Sequence, residues 1–275
     1  MGNSGEIRPI PTPKAGMARN QQQAWDDWGK IDPLFAILTD HQRQNNKWDV
    51  DEFFALGANF IQLLMEKGER LGRPVHRHRA LDFGCGVGRL TRDLGTRFDD
   101  ALGLDIAPSM IERARQLNTG QPNCRFQLHQ GTDLRAIPDA SIDLVVCVLV
   151  LQHLPTPGEI ETYVTEFFRV LAPGGMAVIQ IPSKVAAPLP PPSLRTKVGR
   201  RMRLAALLRR TGVPAALIYS HFPWNPGMTM TGLTPERVAQ LVEAAGASVL
   251  ELVGPDIDSG GTEGWIHYVG PPMTA

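Results

Sequence analysis

Three glycines spaced two apart, Gly84, Gly86 and Gly88, close a short apolar run and lead into a segment of helical pattern. A glycine turn between a strand and a helix lets the backbone reverse tightly and approach a ligand that a Cβ would hold off. Asp105 closes the next apolar run, 21 residues beyond Gly84. A carboxylate at that place can accept hydrogen bonds from both hydroxyls of a ribose. Two other readings stand beside a nucleoside site. The glycines can serve the packing of a strand on a helix and nothing more. A nicotinamide dinucleotide site, whose amides face a pyrophosphate, asks for GxGxxG, whereas this chain carries GxGxG.

Few residues are placed to move a proton. His153 lies just beyond the fourth apolar run, and His221 sits in the aromatic stretch Tyr219-Ser-His-Phe-Pro-Trp224. Both are candidate bases, needed only where an acceptor atom carries a proton. Against that stand a structural role for His153 and a surface or packing role for His221. Cys85, Cys124 and Cys147 are far apart, with no CxxC or Cys/His ligand spacing. That argues against zinc and against a disulfide framework, and favours a reducing, cytoplasmic setting. No metal site is expected.

These residues need a scaffold, and the chain is long enough to build one. Of its 275 residues 43% are hydrophobic and 20% charged, and 28 Lys+Arg balance 28 Asp+Glu. No overall charge steers it to nucleic acid or a membrane, and no stretch reads as a membrane span or signal peptide. Residues 1–23, with Pro9, Pro11, Pro13 and a Gln run, read as a disordered leader. Residues 24–74 read as a helical cap, with Asp49 and Glu52 as a capping box and Phe53, Phe54, Leu56, Phe60, Leu63 and Leu64 as its buried face. From residue 75 to 182, apolar runs at 79–83, 101–104, 124–128, 142–149 and 176–181 alternate with helical segments, which implies a parallel sheet covered on both faces. Residues 183–230 form an insertion with prolines at 188 and 190–192. Residues 231–275 supply a helix opened by Thr234-Pro235 and two last strands.

The segment Leu81-Asp-Phe-Gly-Cys-Gly-Val-Gly88 resembles motif I of the class I S-adenosylmethionine-dependent methyltransferases. Four further segments resemble that family in order: 103–115, Gly131-Thr-Asp-Leu134, 143–154 and 169–175. The resemblance implies a Rossmann-like, doubly wound, seven-stranded and mostly parallel α/β sheet, with an N-terminal helical appendage and an insertion after strand five. It implies S-adenosylmethionine as cofactor. Gly84, Cys85, Gly86 and Gly88 would lie along its methionine and ribose parts, with Asp105 on the ribose and Ile106 on the adenine face. Asp133 would accept from the adenine amino group, or else be a solvated turn carboxylate, and the Leu134 amide would meet a ring nitrogen. The backbone of Cys147 and Val148 would meet the ammonium, and Asp82 would support the loop or the ammonium through water. A histidine at the position of His153 also recurs in the family as a structural residue.

The resemblance implies methyl transfer to oxygen or nitrogen of a small-molecule acceptor, which can be anionic. A non-catalytic cofactor-binding partner, or an RNA or protein methyltransferase, are the alternatives. The fourth run exits through Cys147-Val-Leu-Val150, without the Asn/Asp-Pro-Pro-Tyr of enzymes that methylate DNA amines, and no carboxylate cluster there would hold magnesium. DNA is not an expected partner, nor is a membrane, and a homodimer is allowed. Residues 184–210 carry eight Lys or Arg and no acid, with an apolar helical stripe. They read as a lid whose surface is solvated, or one that meets an anionic acceptor. Membrane-surface or nucleic-acid contact are further options.

Overall fold

A computed structural model describes residues 15–185, 195–222, 230–257 and 262–272. Most of the expected proline-rich break and Trp224 lie outside the described residues. Seven strands form one sheet: β1 (Arg79–Phe83), β2 (Asp100–Asp105), β3 (Cys124–Leu128), β4 (Ile142–Cys147), β5 (Leu171–Lys184), β6 (Ser248–Ile257) and β7 (Glu263–Gly270). Their order is β3-β2-β1-β4-β5-β7-β6. The first five run parallel and β7 runs antiparallel to both β5 and β6. The chain leaves β1 towards β2 on one side and returns to β4 on the other. The strand order therefore reverses between β1 and β4, and a crevice opens at the carboxyl ends of those strands.

Alternation along β1 assigns its side chains to two layers. Leu81 and Phe83 pack with α6 (Pro157–Val170) and α9 (Pro235–Ala244), through Ile160, Val164, Phe167, Val238 and Val242. Ala80 faces the opposite layer, where α3 (Val50–Arg70) brings Ile61, Leu64 and Met65, and Leu94 ends α4 (Thr91–Leu94). Two of these helices start as their sequences dictate. Asp49 accepts from the Glu52 amide at the start of α3, and Thr156 and Glu159 close a capping box on α6. The buried stripe of α3 runs through Phe53, Phe54, Gly57, Ile61, Leu64, Met65 and Gly68. Leu56 and Leu63, expected inside, are 43% and 57% exposed, because the 3.6-residue period carries them off the packed face.

The reading of residues 1–23 as a disordered leader needs correction. Helix α1 spans Ala15–Ile31 and so begins inside that segment. Ala, Gln, Arg and Met are good helix formers, and the helix has partners to hold it. Gln22 Nε2 donates to the Ile106 carbonyl, and Asp26 accepts the Ser109 amide and, through its carbonyl, the Ser109 hydroxyl. Trp28 and Ile31 enter a cluster with Phe35 of α2 (Pro33–Ile37), Phe53 and Met110 of α5 (Pro108–Leu117). The described part of the insertion forms α7 (Lys197–Arg210) and α8 (Ala215–His221). These dock on α1: Arg209 makes two bonds to the buried Asp27 carboxylate, and the Tyr219 ring meets Trp28 edge-on.

Candidate functional site

The glycine turn and Asp105 meet at the end of the sheet. Gly84, Gly86 and Gly88 all hold positive φ, at 78°, 54° and 85°, which a side chain would strain. The amides of Gly84 and Cys85 donate to the Leu104 carbonyl and tie the turn to the end of β2. The Asp105 carboxylate then accepts from Gly86 N at 2.9 Å on one oxygen and from Ala107 N at 2.8 Å on the other. Burial raises its pKa from the ordinary value, and the backbone donors oppose that shift. Each carboxylate oxygen has a further lone pair, so this half-buried group can take the two hydroxyls of a ribose while the main chain fixes its direction. The turn itself is a cradle with no room for side chains. A Cβ on Gly84 would come within 2.3 Å of Val150, and one on Gly86 within 2.5 Å of Ile37. The donor set therefore fits a nucleoside, and apolar side chains from α2 and the β4 exit cover it.

The remaining expected residues fall on both sides of that centre. Asp82 is buried and accepts from the Thr91 hydroxyl at 2.6 Å, so it braces the start of α4. Burial pushes its carboxyl up to about 6, against the Thr91 bond and the charge of Arg89. Cys85 packs behind the turn with Ile111, Ala114 and Phe126, and Cys147 closes β4 fully buried; burial pushes both thiols well up, which keeps them neutral. Val148 is half-buried beside it, and the Leu149 amide donates to the Gln180 side chain. Ile106 is half-buried, its carbonyl held by Gln22.

Three expectations meet a different arrangement. The Leu134 amide, expected to face the adenine ring, donates to the Glu166 carboxylate at 2.8 Å, because Arg169 holds Glu166 beside it. Asp133 is paired with Arg135, through the Arg135 amide and guanidinium. His221 is exposed at the end of α8, where its Nδ1 lies 3.0 Å from the Leu217 carbonyl of its own helix. That geometry leaves it outside the described contacts of the crevice. His153 is better placed: it ends the short 3-10 turn Leu151–His153 after β4, and Trp25 of α1 meets its ring edge-on at 5.0 Å.

Sequence reasoning missed the residues that α1 and α2 bring to the crevice, namely Gln22, Trp25, Asp26 and Ile37. They belong to no spacing pattern, and only the docking of α1 on α5 places them. It also passed over Arg89, although that residue directly follows Gly88.

Comparison with known proteins agrees with this geometry. Residues 81–179 match a family model described as a methyltransferase domain. Over 111 residues the chain is 37% identical to a trans-aconitate 2-methyltransferase of Methylobacterium radiotolerans, covering 40% of each chain. Over 105 residues it is 33% identical to a ubiquinone biosynthesis O-methyltransferase of Psychrobacter cryohalolentis, covering 37% of this chain and 39% of that one. The structure of magnesium protoporphyrin IX methyltransferase from Synechocystis with bound SAH superposes with a TM-score of 0.55 at 16% identity, over 92% of this chain and all of that one, a likeness of fold. The chain thus carries a Rossmann-like methyltransferase domain. The match, over residues 81–179, supports a class I S-adenosylmethionine-dependent methyltransferase domain with S-adenosylmethionine as its cofactor. The matched region spans about 40% of the length of the first of these relatives.

Proposed function

We propose that the chain transfers a methyl group from S-adenosylmethionine to an oxygen or nitrogen atom of a small-molecule acceptor. The observation that carries this reading is the Asp105 carboxylate, held by the Gly86 and Ala107 amides at the mouth of a turn whose glycines hold positive φ. The names of the relatives, for trans-aconitate and for ubiquinone biosynthesis, support a small acceptor. When bound, the cofactor supplies a methyl group already electrophilic on its sulfonium, so no metal is invoked. The protein's task is placement and exclusion of water. Asp105 holds the ribose, the glycine turn admits the chain that carries the sulfur, and α1 and α2 wall the crevice from solvent. His153, at the β4 exit under Trp25, is the base for an acceptor that carries a proton. Two cations of the 184–210 segment have other work: Arg209 pairs with Asp27 and Arg201 donates to the His221 carbonyl. The described part of that segment is thus a lid anchored on α1. No helix among the described residues is long and apolar enough to cross a membrane, and we place the activity in the cytoplasm, where free cysteines stay reduced.

Transfer of labelled methyl from S-adenosylmethionine to a panel of carboxylates, phenols and amines tests the proposal. A methylated product that requires Asp105 is the expected result. Micromolar binding of the cofactor with no transfer to any acceptor class would favour a non-catalytic binding partner instead.

A further inference from the structure

Helix α7 carries six Lys or Arg in 14 residues, and only some of them have work within the protein. Arg209 is bound to the buried Asp27 carboxylate, and Arg201 donates to the His221 carbonyl. Lys197, Arg200, Arg203 and Arg210 are exposed, and their side chains form no ion pair or hydrogen bond among the described residues. Exposed cations elsewhere do pair: Arg43 meets Glu52, Arg77 meets Glu69 and Arg237 meets Glu161. What α7 lacks is acids. None stands between Glu166 and Glu236, while eight Lys or Arg lie within 184–210. Removing those eight from the chain's 28 Lys+Arg leaves 20 against all 28 Asp+Glu. The even overall balance thus conceals a basic segment on an acidic body.

Spacing gives these charges a direction. Arg200, Arg203, Leu204 and Leu207 stand at i, i+3, i+4 and i+7, so they share one helix face, which Arg210 continues. The opposite face is the docked one, where Gly199 and Ala205 are buried, Met202 is half-buried and Arg209 reaches Asp27. The helix cannot roll its leucines inward without breaking that pair. Leu204 and Leu207 accordingly stay 46% and 57% exposed among unpaired guanidinium groups. A single aliphatic group in water is ordinary. Two on adjacent turns, ringed by one sign of charge, call for an occupant. A nucleic-acid groove would offer aromatic groups for stacking, and this face has none. Arginine and leucine together suit the boundary of an anionic bilayer, where acyl chains take the leucines and phosphates take the guanidinium groups.

We propose that the outer face of α7 docks the protein on a membrane surface that carries anionic phospholipid. The helix lies among the headgroups without spanning them, and the bond from Arg209 to Asp27 ties it to α1.

Cosedimentation of the full chain with vesicles tests the proposal. Phosphatidylcholine vesicles containing roughly a third phosphatidylglycerol should retain the protein at low salt, and ~0.5 M NaCl should release it. Pure phosphatidylcholine should retain none. Arg200→Gln with Arg203→Gln should weaken partition about 25-fold, at about fivefold for each cation near an anionic surface. Leu204→Ser with Leu207→Ser keeps every charge and should weaken it roughly tenfold. Both variants should melt within about 2 °C of wild type, since the altered side chains face outward. Equal retention on neutral and anionic vesicles, or on neither, overturns the proposal. So does either variant that partitions as wild type does. An unaffected arginine variant would place the binding elsewhere on the chain. An unaffected leucine variant would mark a face that reads charge alone, as toward a nucleic acid, and binding of a single-stranded oligonucleotide would then identify it.

Discussion

The two ends of the crevice are held by different kinds of bond. At the end proposed for the ribose, Asp105 is aimed by main-chain amides, Gly86 N and Ala107 N, at the ends of neighbouring parallel strands. At the end proposed for the adenine, side chains do the holding: Glu166 takes the Leu134 amide and Arg135 takes Asp133. A group aimed by the sheet keeps its direction whether or not a ligand is present. A group held by mobile side chains has to change partners when a ligand arrives, and part of the new bond is cancelled by the old one. Binding free energy should therefore be concentrated at the ribose end.

The sharpest way to break that comparison is Asp105→Ala. It removes the acceptor for two hydroxyls and leaves the Gly86 and Ala107 amides without their partner. Two charge-assisted bonds are worth about 3–6 kcal/mol, so calorimetry should record at least a ~100-fold loss of affinity for S-adenosylhomocysteine. An unchanged affinity would remove Asp105 from the site. The next largest effect is on stability and concerns helix α1, the proposed wall of the crevice. Arg209→Met strands the Asp27 carboxylate, whose side chain is 5% exposed, with only Gln23 among the described residues to bond it. Breaking such a pair costs about 2–4 kcal/mol, read as a lower midpoint in urea. If α1 is a working wall and not an appendage, cofactor affinity falls with it.

How much of this could be read from residues alone follows the same division. Strand positions were legible because a parallel strand covered on both faces favours an apolar run, and β1 falls where such a run stands. The glycine turn and Asp105 were legible because main-chain geometry restricts residue type: only glycine fits at positive φ beside Val150 and Ile37. Contacts made by side chains between distant elements left no such mark. Gln22 reaches Ile106 across 84 residues and Glu166 reaches Leu134 across 32, and neither partner type is dictated by local backbone. The same holds for α1, whose polar sequence becomes ordered where α5 and α8 receive it, and for His221, whose aromatic neighbourhood suggested a site that the helix end turns to solvent.

Asp82 supplies a smaller effect with a definite sign. Its carboxyl has a pKa of about 6 when folded against an ordinary value of 3.8, because it is buried. The folded state then holds the proton more tightly than the unfolded one, so stability is greatest below about pH 4 as far as this group is concerned. It declines as pH rises through 6 and is flat beyond. Asp82→Asn should remove that decline. The difference between variant and wild type, from denaturant midpoints at several pH values, should grow by on the order of 1–3 kcal/mol between pH 4 and pH 7. A difference that stays level with pH would mean that Asp82 titrates as an ordinary carboxylate.

The adenine end should give the smallest changes, and their signs are informative. Asp133→Ala removes one acceptor that Arg135 already occupies, so affinity should fall by no more than about tenfold, or ~1 kcal/mol. Glu166→Ala frees the Leu134 amide for a ring nitrogen. If exchange of partners is what weakens this end, affinity should hold or rise a few-fold even though loss of the bond to Arg169 lowers the melting temperature. If instead Glu166 fixes the segment in its binding shape, affinity should fall along with stability. A loss in Glu166→Ala as large as that in Asp105→Ala would show that the side-chain bonds at 133–134 position the ligand as firmly as the sheet does, and the contrast between the two ends would vanish.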